Sequence, residues 1–139
     1  MNRKVPLGIL SILSLAISTN IYTDLRGYEH GLFKWGNIIF PLDLSLMGHT
    51  LSSNSFLLYN LPDGLWMLSF CLILIIIWGN TSKSSVFTWL SIGFGIGILF
   101  EVFQHFGKVS GTFDNMDVVC ITMAFLLSLT TLFTLNNQL

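Results

Sequence analysis

Four long apolar stretches dominate the sequence, at residues 5–21, 64–79, 86–106 and 116–135. Each has close to the ~20 residues that a helix needs to cross the hydrocarbon core of a bilayer. Backbone polar groups inside lipid must be satisfied within the segment, so these stretches are expected to be helices, and no alternating pattern of a membrane β-barrel is present. The sequence therefore predicts an all-α integral membrane domain over residues 1–139, with four transmembrane helices.

The composition supports this class and excludes others. The chain is 53% hydrophobic and only 9% charged, with a mean hydropathy of +0.74. Soluble domains carry about 25% charged residues, so this chain has too few charges to cover a water-facing surface. Its net charge of −1 offers no basic surface for a phosphate backbone, and nucleic-acid binding is not expected.

The basic residues near the first stretch set the expected orientation. Arg3 and Lys4 precede it, as in a secretory signal peptide, but we interpret the stretch as a signal-anchor helix that stays in the membrane. Lys83, between the second and third helices, falls on the same side. The opposite side carries Arg26, Lys34 and Lys108. Because Arg3 and Lys4 lie close to a helix end, the positive-inside rule favours a multi-pass topology with both termini in the cytoplasm.

The segment 22–63, between the first and second helices, is long and rich in aromatic residues and glycine. Tyrosine and tryptophan side chains favour the membrane interface, so we expect a long interfacial loop here. A partly re-entrant loop is an alternative if protein covers its backbone.

Polar side chains cluster near three helix ends that hairpin connections bring to one membrane face, the outer one in the expected orientation. These ends are the start of the second helix, the end of the third and the start of the fourth. We predict an acidic, ligand-binding pocket lined by Asp63, Glu101, Gln104, Asp114 and Asp117. The alternative for the three aspartates is that they only start helices, where acidic side chains are favoured by the helix dipole.

Glu101 lies more than one turn inside the third predicted helix, where a carboxylate is costly and by default indicates a functional site. It belongs to a stripe with a four-residue period, formed by Gly93, Gly97, Glu101 and His105. Gly93 and Gly97 are a small-xxx-small pair, which predicts close packing of a neighbouring helix and directs Glu101 toward protein. The alternatives are that Glu101 is a hydrogen-bonding link between helices and that His105 is an interfacial side chain.

The sequence contains no recognisable catalytic motif, such as HExxH, GxSxG or a P-loop. Cys71 and Cys120 lie in apolar stretches without metal-binding spacing and are expected to be small buried residues. We predict no metal site and no cofactor, and we assign no catalytic residue. A divalent-cation site or a two-carboxylate hydrolase site among the acidic residues is a weaker alternative.

Three segments resemble motifs of the VanZ-like family of small bacterial membrane proteins. The Pro-Asp opening of a helix is PDGLWMLSF at 62–70, the Glu-x-x-Gln motif is EVFQ at 101–104, and the Asp-led segment is GTFDNMDVVCITMAF at 111–125. Their order and spacing agree with the family. The chain resembles a divergent member, because the acidic positions are kept whereas several basic and amide positions are replaced, by residues that include Gly64, Trp66, Ile121 and Ala124.

The resemblance implies a protein of the bacterial cytoplasmic membrane that acts on the cell envelope. Some members of the family are linked to antibiotic resistance, in the form of reduced susceptibility to glycopeptides and to teicoplanin in particular. An enzymatic activity is not implied by the motifs.

Three hypotheses for the function follow, and all place the protein in a lipid bilayer. The leading one is binding of a lipid headgroup, an envelope precursor or a cationic ligand in the acidic pocket, without catalysis. The second is an accessory subunit of a larger membrane protein complex, which would dock on its partner through the aromatic loop. The third is an intramembrane enzyme acting on a lipid-linked substrate.

Overall fold

The computed structural model describes residues 4–25, 38–39, 54–79, 82–109 and 111–136. The main helices within these ranges are α1 (Lys4–Asn20), α2 (Ser55–Tyr59), α3 (Leu61–Trp78), α4 (Lys83–His105) and α5 (Asn115–Asn136). A π-helical turn at Ile21–Leu25 extends α1. No β-strand occurs in these ranges.

Four of the helices, α1, α3, α4 and α5, are long and apolar enough to cross a membrane. This finding confirms the prediction of an all-α, multi-pass membrane protein. The four helices correspond to the predicted stretches 5–21, 64–79, 86–106 and 116–135, with ends that differ by one to three residues.

The segment 22–63 is helical at both of its ends. Its first residues belong to the π-helical turn, and its last residues form α2 and the first turn of α3. These parts are therefore helical, and Pro62 and Asp63 lie inside the first turn of α3, ahead of the predicted bound at residue 64. The central part of the predicted interfacial loop lies outside the described residues, apart from 38–39.

Helix α3 packs against α1, α4 and α5. It meets α1 through small polar side chains. Ser11 Oγ lies 3.0 Å from the backbone oxygen of Ser69 and 3.1 Å from its hydroxyl, and Ser18 Oγ donates to the Pro62 carbonyl over 3.0 Å. Because hydrocarbon supplies no hydrophobic drive between helices, such hydrogen bonds and the close approach of small residues hold α1 and α3 together.

Helix α3 meets α5 at Gly64. A Cβ atom at this position would lie 3.1 Å from Cβ of Cys120 and 3.3 Å from its backbone oxygen. The absence of a side chain at Gly64 therefore sets how closely the two helix backbones approach. Further along the helices, the space between α3, α4 and α5 is filled by apolar side chains that include Cys71, Leu90 and Ile121.

Helix α4 is mostly exposed along its length. Its buried residues are Val86, Leu90, Gly93 and Glu101. Three of these are apolar, as expected for contacts with neighbouring helices, and Glu101 is the exception. Since a membrane surrounds the bundle, the exposed apolar side chains of α4 face lipid.

Candidate functional site

A polar cavity of about 350 Å³ lies at the membrane face where α1 and α4 end and where α3 and α5 begin. Consecutive membrane-spanning helices run in opposite directions, so this face collects the ends of all four. The residues predicted to form the ligand site all line the cavity, namely Asp63, Glu101, Gln104, Asp114 and Asp117. The structure thus brings together the whole predicted set, and its role in binding stays a prediction.

Asn60 joins two of the acidic residues from the start of α3. Its side-chain nitrogen donates to Asp114 Oδ2 over 2.9 Å and to Asp117 Oδ1 over 2.8 Å. The side chain of Asn60 is only 4% exposed. An amide NH₂ group has two hydrogens, so both are used on carboxylates. These charge-assisted bonds tie the start of α3 to the start of α5.

Asp114 also starts helix α5, as the capping alternative proposed. Its Oδ1 accepts a hydrogen bond of 2.9 Å from the backbone N–H of Met116. The Met116 N–H, followed by the Asn60 side chain, holds the pKa of the Asp114 carboxyl below its ordinary value. The carboxylate is therefore the stable form of Asp114 at neutral pH, and capping and lining the cavity are compatible roles.

Asp63 is held by a residue from the π-helical turn after α1. The hydroxyl of Tyr22 donates to Asp63 Oδ1 over 2.5 Å. Asp63 lies in the first turn of α3, where the helix dipole favours a negative charge. Both residues line the cavity, so the contact links α3 to the end of α1 at its wall.

Glu101 is the least exposed of the four acidic residues that line the cavity. It is 5% exposed, although it belongs to a helix whose neighbouring side chains face lipid. Its Oε2 atom is buried and accepts no hydrogen bond from the described residues. A buried acceptor left unsatisfied costs about 1–3 kcal/mol, so this oxygen marks where a donor would bind most favourably.

Gln104 lies one turn after Glu101 and contacts the loop before α5. A Cβ atom at Gly111 would lie 2.7 Å from Nε2 of Gln104, and the φ angle of Gly111 is +133°. The backbone conformation therefore favours glycine at this position, and the flexible end of Gln104 fills the space beside it. Gly111 lets the loop pass close to α4 and form one wall of the cavity.

The cavity adjoins an apolar groove of about 500 Å³ between α3 and α4. Four residues line both spaces, namely Tyr22, Asp63, Glu101 and Gln104. The remaining groove lining is almost entirely apolar and includes Trp66, Phe70, Ile96 and Phe100. The polar cavity and the apolar groove that faces lipid therefore have Glu101 in common.

Gly93 and Gly97 line this groove. A Cβ atom at Gly93 would lie 2.4 Å from a ring carbon of Phe70, and one at Gly97 would lie 2.7 Å from Cε of Met67. Both neighbours are side chains of α3, so the glycines accommodate side-chain packing rather than backbone contact. Their lack of side chains keeps the groove open.

The remaining chemistry of the described residues is limited. No group of three or more His, Cys, Asp or Glu side chains among them is arranged to hold a metal ion. His105 is exposed, with its ring edge-on to Phe106 and Phe113. The two cysteines, Cys71 and Cys120, are free thiols.

The sequence prediction missed the two residues, Asn60 and Tyr22, whose side chains hydrogen-bond to the acidic residues of the cavity. Asn60 lies three positions before Asp63, and its place directly ahead of a Leu-Pro-Asp helix start is a local signal that could have identified it. Tyr22 lies far from Asp63 in the sequence and looks like an ordinary interfacial tyrosine. Only the packing of α1 against α3 shows that the two side chains meet.

Comparisons of the chain with protein-family models, with curated proteins and with solved structures found no match. The resemblance to the VanZ-like family therefore stays a prediction based on the three sequence motifs.

Proposed function

We propose that the protein binds the headgroup of a lipid or of a lipid-linked envelope precursor in the acidic cavity. The observation that carries this proposal is that the cavity and the membrane-facing groove lie side by side and share Glu101 in their linings. A soluble ligand would need only the polar part, whereas a lipid would use both. The volumes fall in the range of ordinary small-molecule sites.

The buried carboxyl group of Glu101 supports a binding role over a purely structural one. A carboxylate that only linked two helices would be expected to have both oxygens satisfied. Glu101 leaves its buried Oε2 without a hydrogen-bond partner among the described residues. Ionisable groups at this depth in membrane proteins usually serve a ligand or an ion.

The resemblance to the VanZ-like family supports an action on the bacterial cell envelope. With both termini in the cytoplasm, as the charges of Arg3 and Lys4 favour, the cavity would open at the outer leaflet of the cytoplasmic membrane. Envelope precursors and the headgroups of outer-leaflet lipids are exposed there. We assign binding to the cavity and no bond-breaking step.

A Glu101→Gln variant tests the proposal. The protein is extracted in a mild detergent, and native mass spectrometry measures the fraction that retains a lipid. Gln has the same shape as Glu but no charge, so the fold should be kept while the retained fraction falls by about tenfold, the effect of one charge-assisted hydrogen bond. Thr88→Val is the matched control, because Thr88 lies on the same helix outside the cavity lining and its hydroxyl donates to the Ser84 carbonyl.

The control variant should retain lipid as the wild type does. No retained lipid in the wild type, or equal retention in the wild type and Glu101→Gln, would contradict the proposal. Retention of a stoichiometric protein partner by both would favour the accessory-subunit hypothesis instead.

A further inference from the structure

We propose that the occupant of the site is a single amphiphile whose head carries a protonated amine and whose hydrocarbon part lies in the groove. This inference rests on the proposed function and names the class of ligand that the same cavity would take.

The charge of the cavity favours a cationic head. Four carboxyl groups line it, and no lysine, arginine or histidine is among its described lining residues. An anionic head would face like charges in a site of low dielectric constant, where repulsion is stronger than in water. A positive head would be attracted by the same field.

The hydrogen-bonding pattern favours an amine over other cations. Oε2 of Glu101 is a buried acceptor, and the carboxyl groups of Asp63 and Asp117 lie on two other helices around the same space. A primary ammonium group carries three N–H donors, as in lysine. A quaternary ammonium has no N–H donor and would leave the Glu101 oxygen unsatisfied. The described residues also contain no metal-binding group of side chains.

The groove favours a hydrocarbon chain attached to that head. Phe70, Ile96 and Phe100 line it and are about half exposed, on the side of α3 and α4 that faces lipid. A chain from the bilayer could therefore enter sideways between the two helices. Because the groove reaches Glu101, the head of the same molecule would arrive at the acidic cavity.

Two kinds of molecule carry a protonated amine head on a hydrocarbon chain. A bilayer phospholipid with an ethanolamine head carries the amine together with a phosphate, whereas an alkylamine carries the amine alone. The described lining residues of the cavity offer no basic side chain for the phosphate, so the comparison of the two probes distinguishes the sources.

Tryptophan fluorescence provides the test, because Trp66 lines the groove. The full-length protein is placed in nanodiscs of phosphatidylcholine, and dibrominated probes are added at matched mole fractions. The probes are phosphatidylethanolamine, phosphatidylglycerol and stearylamine, and bromine quenches tryptophan on contact. A Trp66→Phe variant gives the part of the signal due to Trp66. Trp78 and Trp89 stack on each other with ring centroids 5.9 Å apart near the opposite ends of α3 and α4, and they report bulk lipid.

An amine probe should half-quench Trp66 at about one-tenth of the mole fraction needed for phosphatidylglycerol, and Glu101→Gln should remove this preference. Preference for both amine probes would identify a bilayer phospholipid as the source, and preference for stearylamine alone would identify a different amphiphilic amine. Equal quenching by all probes, or preference for phosphatidylglycerol, would overturn the amine assignment.

If native mass spectrometry still shows a lipid that Glu101→Gln loses, the proposed function survives that result. If no lipid is retained either, both fail.

A pair of glycine variants tests the position of the hydrocarbon chain. In Gly97→Leu the new side chain would enter the groove, and the nearest atom, Cε of Met67, is the flexible end of a side chain. In Gly95→Leu, two residues away on the same helix, no other atom lies within 4 Å of a Cβ. Gly97→Leu should remove the Trp66-specific quenching and Gly95→Leu should keep it. A folded Gly97→Leu variant with unchanged quenching would show that the hydrocarbon chain does not lie in the groove. If that variant misfolds, the series of brominated probes still tests the proposal.

Discussion

Asn60→Asp should be among the most destabilising single substitutions in the protein, with a loss of about 3–5 kcal/mol at neutral pH. The substitution removes the donor that Asp114 and Asp117 share and adds a third carboxyl group 2.8–2.9 Å from the other two. Removal of one partner from a buried charged network costs about this much. Unfolding in mixed micelles, followed by circular dichroism, measures the loss.

Two further measurements distinguish an electrostatic cause of this loss from a packing defect. One is the stability of Asn60→Asp at low pH, and the other is the stability of a double variant. At a pH of about 4 the carboxyl groups begin to protonate, so Asn60→Asp should recover part of its stability there. The double variant Asn60→Asp with Asp117→Asn restores an amide beside a carboxylate and should also recover part of the loss. A loss that neither treatment reduces would mean that Asn60 acts only through its shape.

Gly64→Leu should prevent normal packing of α3 against α5 and cost about 3 kcal/mol or more, at the upper end of the effects of overpacking. The atoms that a Cβ would meet are the Cβ and backbone of Cys120, at 3.1–3.4 Å, and neither can rotate away as a side-chain end can. Gly64→Ala should show a smaller loss in the same direction. The yield of monodisperse protein and its unfolding in mixed micelles measure both.

Gly95→Leu is the matched control for this prediction. Gly95 lies in the middle of α4, and a Cβ there has no neighbour within 4 Å. Leucine is a better helix former than glycine by roughly 0.8–1 kcal/mol, so this variant should be as stable as the wild type or slightly more stable. Equal losses for Gly64→Leu and Gly95→Leu would show that glycine flexibility, and not the α3–α5 contact, explains the effect.

The sequence was a good guide to the membrane helices because lipid imposes a simple rule. A segment that crosses hydrocarbon must satisfy its backbone within itself and must be apolar for most of its length. Hydropathy alone therefore located all four spanning helices. The exact helix ends were less well predicted, and α3 begins at Leu61, three residues before the predicted bound at residue 64.

The meeting of the acidic residues at one face was also predictable, since hairpin topology determines which helix ends share a membrane face. The partners of those residues were not. Asn60 and Tyr22 carry no signal of their own in the apolar pattern, yet they contact Asp114, Asp117 and Asp63. Hydropathy does not show which face of one helix meets which face of the next.

The glycines show the same limit. The small-xxx-small pair Gly93 and Gly97 is the recognisable pattern, but the glycine at which two backbones approach is Gly64, a single residue with no partner at that spacing. The insertion of four helices into a membrane depends on the apolar residues along each segment, and these can be read from the sequence. The cavity, its groove and the buried oxygen of Glu101 depend on helix rotation and distance, which arise only when the side chains of different helices pack together.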